Sequence, residues 1–220
     1  GVLGWTSLGE YREDLKAIEE VRGPYEKKLK GMSAAAILAD DELSNYVVRS
    51  AKVLFGDNCS ACHGSGGQGL VSFPVLADDD WLYGGTVADI EASITMGRKG
   101  MMPAQAALVN NAEADKLASA ILAGNVASEP LFMEKGCAGC HGVDGKGIAP
   151  LGSANLTDAI WRFEAEDQAY SIKHTIMHGV NDPSDAKTRN ADMPTFGGTK
   201  LSETDIKKLA VYVHKLGGGE

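Results

Sequence analysis

Apolar residues recur along this chain at helical spacing, and no run alternates strictly enough to predict a strand. Leu8, Tyr11, Leu15, Ile18 and Val21 lie three or four residues apart among charged neighbours. Residues 8–22 therefore predict an amphipathic helix, stopped by Gly23-Pro24. A short alanine-rich helix follows over 33–39. Asp40-Asp41 then caps a helix carrying Val47, Val48, Ala51, Val53, Leu54 and Phe55. Further helices are predicted over 86–97, with Thr86 as N-cap and Gly97 as stop, and over 112–123 and 167–178. Phe132 lies on another short helix. Residues 202–216 close the chain as a capped helix with an acidic first turn, and Gly217-Gly218-Gly219 reads as a frayed tail. The fold class is all-α.

The polar interruptions carry the chemistry. Cys59-Ser60-Ala61-Cys62-His63 and Cys137-Ala138-Gly139-Cys140-His141 repeat one five-residue device, and together they hold all 4 cysteines. Cys-x-x-Cys-His is the attachment signature of c-type haem. Two thiols one helical turn apart can reach two vinyl groups on one porphyrin edge, and the following imidazole can ligate iron. Zinc ribbons place their two C-x-x-C pairs about 15–20 residues apart, far closer than these. No strand–helix–strand pattern supports a thioredoxin-like redox pair, and the repeated motif is a poor framework for distant disulfides. Cys59, Cys62, Cys137 and Cys140 are therefore expected to bind two haems c, with His63 and His141 as iron ligands.

The context repeats as well. His63-Gly64, Gly67-Gln68-Gly69 and Trp81 match His141-Gly142, Gly145-Lys146-Gly147 and Trp161, and Ile94–Gly97 aligns with Ile176–Gly179. Each arm reaches a Met-Pro pair, Met102-Pro103 and Met193-Pro194. One module is thus present twice, giving an N-terminal helical extension or docking arm over 1–45, a first cytochrome c domain over 46–125 and a second over 126–220. The two are tandem class I cytochrome c domains. Met102 is the expected sixth ligand of the first iron and Met193 of the second, since a thioether raises the potential and the adjacent proline stiffens its loop. Met101 is the neighbouring alternative, and His174 and His178 are alternatives in the second module. The second arm is longer, with a polar insert at Asn181-Asp182-Pro183-Ser184-Asp185 that reads as tolerated loop variation. Trp81 and Trp161 are expected to pack.

Length and charge narrow the class. At 220 residues the chain suits two small domains plus an extension, each marginal without its haem. The net charge of −9 argues against nucleic acid and anionic lipid as partners, and fits either steering of a basic electron donor or simple solubility. No segment approaches the roughly 20 apolar residues of a membrane helix. Gly1 reads as a mid-protein start, with an N-terminal portion cleaved or not included.

Several phrases converge on a family. Gly4-Trp5-Thr6-Ser7, Asn58–Gly64, Asp80-Trp81-Leu82-Tyr83-Gly84-Gly85 and Gly97-Arg98-Lys99-Gly100-Met101-Met102-Pro103 resemble the dihaem subunit of cbb(3)-type cytochrome c oxidases. In the second module the resemblance rests on Cys137–Gly142, Asn155-Leu156-Thr157-Asp158, Trp161 and Met193-Pro194-Thr195-Phe196-Gly197. It departs by lacking Leu-Tyr-Gly-Gly after Trp161. The resemblance implies an N-terminal membrane helix not present in this sequence, with both haem modules on the periplasmic side of the bacterial inner membrane. It implies electron relay from a soluble cytochrome c or a bc-type complex to a monohaem subunit and the catalytic haem–copper subunit, with no catalysis by this chain alone. A free dihaem carrier of the cytochrome c4 type is the alternative. It predicts haem motifs close to the mature N-terminus, whereas the first cysteine here is residue 59. A dihaem peroxidase would need an iron with an open sixth site, and both modules offer a methionine.

Overall fold

The computed structural model describes residues 6–219, so Gly4 and Trp5 lie outside the described residues. It is helical: α1 (Ser7–Leu29), α2 (Ala34–Ala39), α3 (Asp41–Asn58), α4 (Ser60–His63), α5 (Val87–Met96), α6 (Asn111–Leu122), α7 (Pro130–Glu134), α8 (Ala138–His141), α9 (Gln168–His178) and α10 (Glu203–His214). Among the described residues, extended pairing is confined to isolated bridges. Most of the longer helices begin where a short polar side chain can take an orphan amide. Thr6, Ser33, Asp40, Thr86 and Asp167 each accept such a bond. Asn110 with Glu113 and Ser202 with Asp205 form reciprocal capping boxes.

Gly23-Pro24 does not stop α1, which continues to Leu29 with Pro24 inside it. The continuation is held by tertiary contacts that local sequence does not announce. Tyr25 stacks on Tyr46 with ring centroids 4.5 Å apart. Glu26 accepts from Tyr46 (2.6 Å) and from Lys208 (2.7 Å), and Leu29 is fully buried. The stripe at Leu8, Tyr11, Leu15, Ile18 and Val21, by contrast, is 46–69% exposed.

The chain builds two cores, and they do not follow chain order. The first gathers α2, α3 and α5 around α10, with Ile37, Val47, Phe55, Ile90, Leu209 and Val211 inside. The second packs α6 on α9, with Leu117, Ile121, Val126, Phe132, Ile172 and Ile176 inside. The C-terminal helix therefore completes the unit that contains the first haem motif, and α6 completes the unit that contains the second. The spatial units cross the 125/126 boundary. Residues 34–97 and 193–219 form one, and residues 98–192 form the other. α6 and α10 are both amphipathic and 12 residues long, so the linear pattern does not say which core each closes. The expected extension over 1–45 is divided too, since Leu29, Ala34, Ile37 and Leu43 are buried in the first core. The tail is not frayed: Trp81 Nε1 donates to the Gly218 carbonyl, and Gly218 is buried.

Candidate haem-binding sites

Both Cys-x-x-Cys-His motifs form one tight turn. Cys62 N–H and His63 N–H donate to the Cys59 carbonyl at 3.1 and 2.9 Å. Cys140 N–H and His141 N–H donate to the Cys137 carbonyl at 3.2 and 3.0 Å. The turns end on Gly64 and Gly142, each at φ 77°, which lets the chain reverse without a Cβ clash. None of the four cysteines is in a disulfide. Burial raises the Cys59 thiol to about 11, with the neighbouring Cys62 adding to it, and burial raises Cys137 as well.

Each motif histidine is held by one ring nitrogen. His63 Nδ1 lies 3.0 Å from the Pro74 carbonyl, and His141 Nδ1 lies 2.9 Å from the Ala154 carbonyl. A carbonyl only accepts, so Nδ1 carries the proton and Nε2 keeps its lone pair for a metal. Burial lowers the pKa of both imidazoles and keeps them neutral, the form that ligates. The residues present fit a haem c at each motif. The two anchoring carbonyls carry no signal in sequence, because every residue has one.

The methionine arms are exchanged. Leaving α5, Arg98 pairs with Met193 through N–H···O bonds of 3.0 and 2.8 Å. Phe196 N–H and Gly197 N–H then donate to Ile94 and Thr95 carbonyls. Met193 and Phe196 pack on the first core together with Cys59 and Trp81. Leaving α9, Val180 pairs with Met102 by two bonds of 2.9 Å, and Gln105 N–H donates to Ile176. A Cβ on Gly97 would strike the Met193 carbonyl, and one on Gly179 would strike the Met102 carbonyl. The fold thus joins Met193 to the unit of Cys59, Cys62 and His63, and Met102 to the unit of Cys137, Cys140 and His141. By backbone pairing the two methionine arms lie crosswise to chain order. Met101 is 65% exposed.

The polar insert makes this crossing. Asn181, at φ 51°, donates to the Gly100 carbonyl (2.8 Å) and accepts from Ala191 N–H (2.8 Å). Asp182 accepts from Ala104 N–H at 2.7 Å, and that bond first, then Ser184, holds its carboxyl below the usual range. His178 Nδ1 lies 3.0 Å from Asp185, and the His174 ring lies 4.7 Å from that of His178. Trp161 packs against the second core.

A model of cytochrome C oxidase, cbb3-type, subunit III matches residues 47–119, and one of cytochrome c matches residues 127–217. The cbb3-type cytochrome c oxidase subunit FixP of Azorhizobium caulinodans is 38% identical over all of this chain and 77% of its own length. The FixP subunit of Bradyrhizobium diazoefficiens is 35% identical, and the CcoP subunit of Cereibacter sphaeroides 33%. Each aligns with all of this chain and 78% of its own length.

Proposed function

We infer the function from kinship and site together: the chain belongs to the FixP/CcoP family of cbb3-type cytochrome c oxidase subunits, and it transfers electrons within that oxidase. Its partners are other subunits of the oxidase. Its cytochrome c domains use haem c. The finer reading is that it binds two haems, one through Cys59 and Cys62 with His63, the other through Cys137 and Cys140 with His141. When bound, each haem supplies a one-electron redox centre. The protein holds it covalently, presents a neutral Nε2 from a fixed ring and shields it from water.

The observation that carries this reading is the doubled Nδ1-to-carbonyl bond beside a pair of free thiols. Structural cysteines and histidines do not need that arrangement, and a haem ligand does. The sixth ligands are Met193 for the first haem and Met102 for the second. The donor is a soluble cytochrome c or a bc-type complex. The electron acceptors are a monohaem subunit and the haem–copper subunit, with both haem units on the periplasmic side. Oxygen reduction is left to the rest of the complex.

The test is intact mass after acid–acetone extraction, followed by a spectroelectrochemical titration. Two haem masses should remain on the chain, and two one-electron steps should appear. Cys59→Ala/Cys62→Ala in the assembled oxidase should stop oxygen consumption driven by reduced soluble cytochrome c. Loss of either haem on extraction, or undiminished respiration in that variant, would refute the assignment.

A further inference from the structure

The two proximal histidines hang from matching carbonyls, but the loops that carry those carbonyls are braced differently. In the second unit the brace is internal. Ser153, immediately before Ala154, donates its hydroxyl to the Cys140 carbonyl (2.6 Å) and accepts from Ile148 N–H (2.8 Å). The residue immediately before Pro74 is Phe73, which has no hydroxyl to do this.

The first unit's loop is tied from outside. Phe73 N–H closes a turn on the Leu70 carbonyl (2.8 Å), and Ser72 inside it sits at φ 71°, a conformation that favours glycine. The Ser72 carbonyl accepts a bond of 3.2 Å from Nε of Arg162. Arg162 follows Trp161 in the other unit, where the first unit has Leu82 after Trp81. None of the ion pairs among the described residues includes Arg162.

We propose that Arg162 is a positioning residue for the first haem: by holding the Ser72 carbonyl it fixes the turn over residues 70–73 and, through the Pro74 carbonyl that follows it, the orientation and basicity of His63. The second unit thereby sets the redox behaviour of the first. This rests on the haem reading above. A firm Nδ1–H···O bond makes the imidazole a stronger donor to iron and favours the ferric state. Releasing the loop weakens that bond and raises the potential. Removing a nearby positive charge would do the opposite, so the sign separates the two roles.

Arg162→Lys keeps the charge and loses the planar Nε donor. Arg162→Gln loses both, and Arg162 lies outside both apolar cores. The measurements are a spectroelectrochemical titration and proton exchange at His63 Nδ1, read by NMR on the dihaem protein. In Arg162→Lys the first haem's ferrous-to-ferric ratio at fixed potential should rise about threefold or more, with the second haem unchanged. His63 Nδ1–H should exchange about tenfold faster in both variants. Ser153→Ala should speed exchange at His141 and leave His63 as it was. Unchanged exchange at His63 in either Arg162 variant, or a fall in potential in Arg162→Lys, overturns the proposal. A haem count below two in the unaltered protein refutes the haem reading instead, and the haemochrome assay tells the two failures apart.

Discussion

A hydrogen bond to a main-chain carbonyl costs the sequence nothing to write, yet it fixes which imidazole nitrogen of His63 and His141 is free. The same economy governs the methionines. Met102 and Met193 stand in identical Met-Pro contexts, so the sequence made them candidates and assigned each to the ring of its own repeat. Backbone pairing supports the proposed crosswise assignment instead: Met193 pairs with Arg98 beside the first unit, Met102 with Val180 beside the second. In a variant lacking the second haem (Cys137→Ala/Cys140→Ala), Met193→Ala should abolish the weak Met–iron charge-transfer band of the remaining haem, and Met102→Ala should leave it. The expected fall in potential on thioether loss is at least about 59 mV, a tenfold change in the ferrous-to-ferric ratio. Retention of the band in Met193→Ala would restore the pairing by chain order.

At the scale of elements, periodicity found the helices, and caps such as Thr86 and Ser202 marked their starts to within a residue. It said less about which apolar faces are covered. The stripe on α1 is as regular as those on α3 and α10, yet it is exposed, while the short α2 buries Ala34 and Ile37 completely or nearly so. Coverage depends on what lies opposite, which a linear pattern does not encode. Ile37→Ala should therefore cost about 2–4 kcal/mol in denaturant melts of the first unit, whereas Leu15→Ala should stay within about 0.5 kcal/mol.

The end of α1 is tied to α10 by Glu26 and Lys208 at 2.7 Å. Burial alone would raise the Glu26 carboxyl, but its bonds from Lys208 and Tyr46 together outweigh that and hold it below its ordinary value of 4.5. A depressed folded value means that unfolding takes up a proton. The contribution is full above 4.5, shrinks as pH falls below it, and is gone below the folded value. Glu26→Gln should lower stability near neutral pH by about 1 kcal/mol after allowing for solvent screening, and should flatten the acid limb of a stability–pH profile. An acid limb as steep as that of the unaltered protein would exclude Glu26 as its source.

For the molecule as a whole, the haem motifs and the doubled module were legible because their residues are local and chemically distinctive. The exchange of arms was not, because α6 and α10 offer equivalent faces and family resemblance runs along the chain and not through space. The polar insert over residues 181–185 read as spare loop, although it pairs with Gly100 and Ala104 to make the crossing. Residues 98–192 contain every element of the second unit. That fragment should fold and hold one haem with its methionine signature, whereas residues 30–97 alone should not, for want of α10 and Met193. Haem content and circular-dichroism melts of the two fragments measure this, and equal behaviour of both would contradict the interleaved arrangement.

The burial of α10 between α3 and α5 also sets an order of completion. A chain made from its N-terminus presents Cys59 and Cys62 well before Cys137 and Cys140, but the helix and the proposed sulfur ligand that finish the earlier site are made only after the whole inserted unit. The first site to emerge is the last to close, and its closure must span a whole inserted unit, a long-range contact of the kind that slows folding. In that interval its thiols stand on an unfinished scaffold, while the later site already has all of its parts. A chain cut short just before α10 would therefore forfeit the centre nearest its beginning and keep the one nearest the cut.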